Sequence, residues 1–225
     1  MTPMSDRQYR LFLAAIYICV WLISAVNPHY FADWLLENVL VIVLMIAGVL
    51  TWRQVCLSKT SNTLIFLFLC MHSLGAHYTY SLVPYDDWAH SYLGITFNQL
   101  VGWERNNYDR IVHFLFGLLL AFPLREILVR FSNFGGGWSY IVPFLLIVSM
   151  STAFELIEWV AAIVFGGDLG QAYLGTQGDE WDSHKDTLLA SLGGLIAMCL
   201  TLISRVAGVR DRRRAFQIET RLKII

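Results

Sequence analysis

Six runs of apolar residues dominate the chain, at about 9–26, 34–52, 62–80, 108–128, 138–165 and 187–206. Each can cross a hydrocarbon core of about 30 Å, which takes roughly 20 helical residues. Asn27-Pro28 closes the first run, and Gly135-Gly136-Gly137 separates the fourth from the fifth. The pattern predicts an all-α fold: a polytopic transmembrane helical bundle of about six spans, forming one domain over 1–209, with a basic tail at 210–225. In the segment 81–107, Trp88, Tyr92, Leu93, Phe97, Leu100 and Val101 recur at nearly helical spacing. That spacing predicts a short helix lying in the outer interface. The first run follows Arg7 and Arg10, yet its length and the further spans behind it predict an uncleaved helix rather than a signal peptide.

Composition agrees with the pattern. Hydrophobic residues make up 56% of the 225 and charged residues 15%, where a soluble domain carries roughly a quarter charged. A net charge of −1 gives no electrostatic footing for nucleic acid, and none is expected as a partner. Membrane lipids are the expected surroundings. Cys19, Cys56, Cys70 and Cys199 form no CxxC pair, so they read as small buried hydrophobes rather than a zinc knuckle or redox pair.

The charges are strongly one-sided. Thirteen of the 16 Lys and Arg residues fall at the N-terminus, the second-to-third connection, the end of the fourth run with its following loop, and the C-terminal end. Only Arg105, Arg110 and Lys185 fall on the other side. The positive-inside rule then places both termini in the cytoplasm. The run from Arg210 to Arg214 reads as a topology anchor against anionic lipid.

That orientation brings costly residues together. Ionisable groups within spans need a reason to be there. Counting about 1.5 Å of rise per residue, the third span carries His72 near mid-depth and His77 higher. The fourth carries Asp109, Arg110 and His113 in its first turns. The fifth carries Glu155 and Glu158 toward its outer end, and the sixth opens on Asp186 just after Asp179 and Asp182. Asp109 and His113 are four apart and Glu155 and Glu158 three apart, so each pair shares a helix face. Glu37 and Asn38 read as a helix-end feature.

Three arrangements answer this chemistry. In one, His77, His113, Asp182 and Asp186 hold a divalent metal, with Asp109, Glu155 and Glu158 as catalytic carboxylates. Mixed nitrogen and oxygen ligands suit zinc, iron or manganese, and such a metal activates water against a lipid-linked or amphiphilic small molecule. In the second, the carboxylates and Arg110 form a structural interhelical network. In the third, the layer binds or passes a small solute or proton. Arg110, Asp179 and His72 serve as ligand contacts or structural ion pairs in any of these. No nucleotide-binding loop, nucleophile elbow or HExxH motif occurs, and Gly175 to Asp182 lacks the ligand order of an EF-hand.

The same residues carry a family resemblance. His72 with Gly75-Ala76-His77-Tyr78-Thr79-Tyr80, then Asn107-Tyr108-Asp109-Arg110 with His113-Phe114 and Gly117, resemble the bacterial inner-membrane YjdF family of multi-pass proteins. So do Glu155-Leu156-Ile157-Glu158-Trp159, Gly175 to Asp179, Trp181-Asp182, Asp186 and Gly194. The resemblance implies a multi-pass protein of the cell inner membrane and supplies no reaction. The order Asp109, His113, Glu155, Asp186, Gly194 is more distantly similar to VanZ-like membrane proteins, associated with glycopeptide resistance. Glu158-Trp159 departs from that pattern, which has a Gln after its Glu, so the resistance role does not carry over.

Overall fold

The structure, a computed structural model, describes residues 4–132 and 134–206. All regular elements among the described residues are helical. The long helices are α1 (Asp6–Ser24), α2 (Phe31–Leu50), α3 (Lys59–Tyr78), α6 (Tyr108–Phe131), α7 (Trp138–Phe165) and α9 (Asp182–Val206). Between them lie α4 (Tyr85–Leu93), α5 (Phe97–Val101) and α8 (Gly167–Leu174), with a 3-10 turn at Tyr80–Leu82. Each of the six expected segments falls on one long helix. Among the described residues, four helical stretches are long and apolar enough to cross a membrane: α2, α6, α7 and Asp182–Arg205 of α9. Arg7, Gln8 and Arg10 in α1, and Asn62, His72 and His77 in α3, leave those two less apolar. The expected basic tail, 210–225, lies outside the described residues.

Local chemistry explains the helix ends. Ser5 and Gln8 form a reciprocal capping box at α1. The Ser58 side chain accepts the Ser61 N–H at the start of α3. Glu126, from the far end of α6, accepts from the Ser58 N–H and hydroxyl at 2.8 Å each, and from the Ser61 hydroxyl. Two departures from the sequence reading have backbone causes. The outer segment is two short helices rather than one, because Gly94 adopts φ 69° and ends α4. And α8, which no apolar run announced, follows α7 directly through Gly166 at φ 60°.

Packing centres on α6 against α9. Gly117 lies so close to α9 that a Cβ there would overlap the Ala190 carbonyl, and a Cβ on Gly193 would overlap the Phe114 carbonyl. Small residues at a crossing are how membrane helices approach closely. An apolar cluster of Ala121, Ile147, Ala190, Ala197 and Met198 continues this contact. Helix α3 packs on α6, α1 on α3, α7 on both α6 and α9, and α8 between α7 and α2. Outward faces are apolar too, as at Val43 and Leu44 of α2, Leu156 and Ile163 of α7, and Leu188 and Leu195 of α9. Polar groups such as Asn38, Ser73 and Ser151 are inside. That distribution suits a molecule solvated by lipid. Cys19 and Cys199 lie on outward faces rather than buried as expected, since lipid accepts a thiol as readily as a core does.

Candidate functional site

The close crossing of α6 and α9 sets their N-terminal ends side by side, and the polar residues meet there. Asp109, His113 and Asp186 each offer a ligand atom, and the three atoms lie within 4.8 Å of one another. Three ligands at about 2.1 Å from one ion sit about 3.4–3.6 Å apart, so the group closes by about 1 Å to share an ion. His113 Nε2 is 3.5 Å from Asp109 Oδ1 and 3.4 Å from Glu155 Oε1 on α7. These separations attract charge without making good hydrogen bonds. Asp186 is 2% exposed and Glu155 8% exposed, and each has one carboxylate oxygen with no hydrogen-bond partner. Such groups cost several kcal/mol, of order, when left unsatisfied and charged.

A second tier of ion pairs lies beside this group, where the chain enters α6 and α9. Arg110 Nη2 reaches Asp179 at 2.5 Å and Asp182 at 2.9 Å, Arg105 reaches Asp182 at 2.9 Å, and Lys185 reaches Asp179 at 2.5 Å. Arg105 also donates to the Thr176 carbonyl at 2.6 Å, and Gln177 donates to the Asn106 carbonyl at 2.9 Å. The loop entering α9 is thus strapped to the loop entering α6. The Lys185 ammonium, with the Trp181 N–H and then Arg110, holds the Asp179 carboxyl below the usual carboxylate range. Arg105, Arg110 and Lys185 therefore make their ion pairs with Asp179 and Asp182, one tier away from Asp186 and Glu155.

Next to the metal-capable group is a narrow cavity with room for about one water molecule. Four carboxylates line it: Asp33 and Glu37 of α2, Asp109 of α6 and Glu158 of α7. Thr79, Tyr80 and Tyr173 complete the polar wall. Burial pushes the Tyr173 phenol, on α8, to a raised pKa. His72 accounts for the position of Tyr80. Its Nε2 faces the Glu37 carbonyl at 3.2 Å, which only accepts, so Nε2 carries the proton and Nδ1 accepts from the Tyr80 hydroxyl at 2.5 Å. Gly75 leaves room for the Tyr80 ring, which a Cβ there would meet at 2.7 Å.

The expected site residues therefore separate. Asp109, His113, Glu155 and Asp186 gather at one place, and Glu158 lines the adjoining cavity with Asp109. Asp182, Arg110 and Asp179 form the outer strap. His72 orients Tyr80. His77 lies elsewhere, with Nδ1 donating to the Ser24 carbonyl at 3.0 Å. Asp33, Tyr80 and Tyr173 lie outside the layer that the sequence predicts, and Glu37 lines the cavity rather than merely ending a helix. The intramembrane position of Glu37 was the one available signal for α2.

A family model described as "Predicted membrane protein (DUF2238)" matches residues 9–206. The chain belongs to this family. Among DUF2238 relatives, the inner membrane protein YjdF of Escherichia coli (strain K12) is 36% identical over 175 residues, covering 76% of this chain and 78% of that protein. No solved structure matches. Family membership and the apolar helices make this DUF2238 protein an integral protein of the inner membrane. The matched stretch contains every residue of the polar site and ends with α9.

Proposed function

We propose that this protein crosses the inner membrane six times, with both termini cytoplasmic, and binds a divalent cation at its periplasmic end through Asp109, His113 and Asp186. We further propose that the site acts on the head group of a lipid or other envelope amphiphile. The observation that carries the reading is the convergence of those three ligand atoms within 4.8 Å, beside buried carboxylate oxygens that lack partners. One nitrogen with carboxylate oxygens suits zinc, iron or manganese.

A bound divalent ion supplies Lewis acidity toward a carbonyl or phosphoryl oxygen and favours ionisation of water. The protein supplies the rest. Asp109 and His113 share a face of α6, so their relative position is set by the helix. Glu155 approaches from α7, with Oε1 3.4 Å from His113 Nε2, and is placed to take a proton from water. Arg105, Arg110, Asp179 and Asp182 keep the two entry loops together above it.

A purely structural network is the second reading, and the strap supports it, since its cations are all ion-paired. It leaves the buried Asp186 Oδ1 without a partner. Metal analysis of gently purified protein separates the two. The proposal expects about one equivalent of zinc, iron or manganese, lost in both His113→Ala and Asp186→Asn while the helical fold is retained. Wild-type protein without stoichiometric metal contradicts it.

A further inference from the structure

The cavity beside the His113 group has a different chemistry. Its lining offers oxygen alone: carboxylates from Asp33, Glu37, Asp109 and Glu158, and hydroxyls from Thr79 and the tyrosines. No Lys or Arg is among its lining residues. Asp33 is 1% exposed and Glu37 4% exposed; the Asp33 carboxylate faces the Thr79 hydroxyl, and Glu37 Oε2 has no hydrogen-bond partner. These atoms come from two elements, the start of α2 and the left-handed residue that ends α3, where Thr79 has φ 58°.

Four carboxylates around room for about one water cannot all stay charged without a compensating cation. Nitrogen and sulfur donors are missing from the lining, so a transition metal that prefers imidazole or thiolate gains little there. Hard cations take oxygen ligands, and magnesium keeps several waters that this space does not hold. We infer that Asp33, Glu37, Asp109 and Glu158 form a second cation site, oxygen-only, for a largely dehydrated hard divalent ion such as calcium or manganese. Asp109 lines this cavity and also belongs to the His113 group, so it joins the two sites. His72 serves the second site by holding Tyr80, and is a positioning residue there.

The proposal stands apart from the reading of the His113 group, and one experiment keeps them distinct. Manganese binding to the full-length protein in detergent is counted by electron paramagnetic resonance, with calcium as competitor and circular dichroism as the check of fold. His113→Ala is expected to keep an ion that calcium displaces. Asp33→Asn and Glu37→Gln are expected to weaken that calcium-sensitive binding at least tenfold, while leaving metal at His113. Asp109→Asn is expected to weaken both. Wild-type protein that binds no calcium-displaceable manganese overturns the second site, whatever the variants do. So does unchanged calcium-sensitive binding in folded Asp33→Asn. A calcium-sensitive ion in protein that holds nothing at His113 leaves the second site standing and removes the first.

Discussion

The ring Nε2 of His113 stands 3.4 Å from a carboxylate oxygen of Glu155, joining the start of α6 to α7. The oxygen is buried and has no hydrogen-bond partner. Glu155 is outside the ligand trio, so its loss and the loss of a ligand have different consequences. Glu155→Gln keeps the shape, retains bound metal, and lowers turnover by about 10²–10⁴-fold if Glu155 is the proton acceptor. Mass spectrometry of head-group release from envelope lipids, beside metal analysis of the same preparation, reads both. Loss of metal with unchanged turnover per metal would place Glu155 among the ligands instead.

The site depends on how tightly α6 and α9 cross. Gly117→Ala drives a methyl group into the Ala190 carbonyl, and overpacking of this kind costs about 1–3 kcal/mol. Gly48, on α2, has nothing within 4 Å of its would-be Cβ. Gly48→Ala is therefore expected to leave the thermal midpoint unchanged or slightly raised, while Gly117→Ala lowers it and weakens metal binding. Equal behaviour of the two variants in a detergent melting experiment contradicts the crossing.

Acid should open the outer strap at a defined point. Asp179 has a depressed pKa in the folded protein, so its contribution is fully present above the ordinary carboxylate value of about 3.9 and is lost as pH falls below it. Trp181 lies two residues on and donates its N–H to Asp179 at 3.1 Å. Tryptophan fluorescence is expected to stay flat from neutral pH through that value and to change only well below it, where Asp179 of the folded protein takes up its proton. In Asp179→Asn that acid step is absent, and the strap is looser at neutral pH.

Orientation has a simple chemical readout. Cys56 is exposed in the connection between α2 and α3, and Tyr92 is 85% exposed on α4. A membrane-impermeant maleimide is expected to label Tyr92→Cys in intact cells and Cys56 only after permeabilisation. The opposite pattern reverses the orientation.

Much of the architecture is visible in the sequence because lipid solvation acts along the chain. Apolar runs mark the six long helices, though only four of these are apolar enough to cross a membrane by length and composition alone, and the i, i+4 spacing of Asp109 and His113 finds the centre of the polar layer. Azimuth is less visible. His72 and His77 are five residues apart, about 140° around a helix, so height in the membrane does not put them on one face. One turns to Tyr80 and the other to Ser24. Asp33 and Glu37 enter the cavity because α8 docks between α7 and α2, and α8 is too short to leave an apolar run. Glu126 caps α3 from a helix far along the chain, a pairing that only the packed bundle reveals.

The central claim concerns one ion and its ligands. X-ray absorption at the metal edge of purified protein examines the coordination shell itself. The account predicts a nitrogen and oxygen shell at about 2.0–2.2 Å, with the outer-shell scattering of a single imidazole that disappears in His113→Ala. A shell without imidazole in the wild type, or one unchanged by His113→Ala, would contradict it.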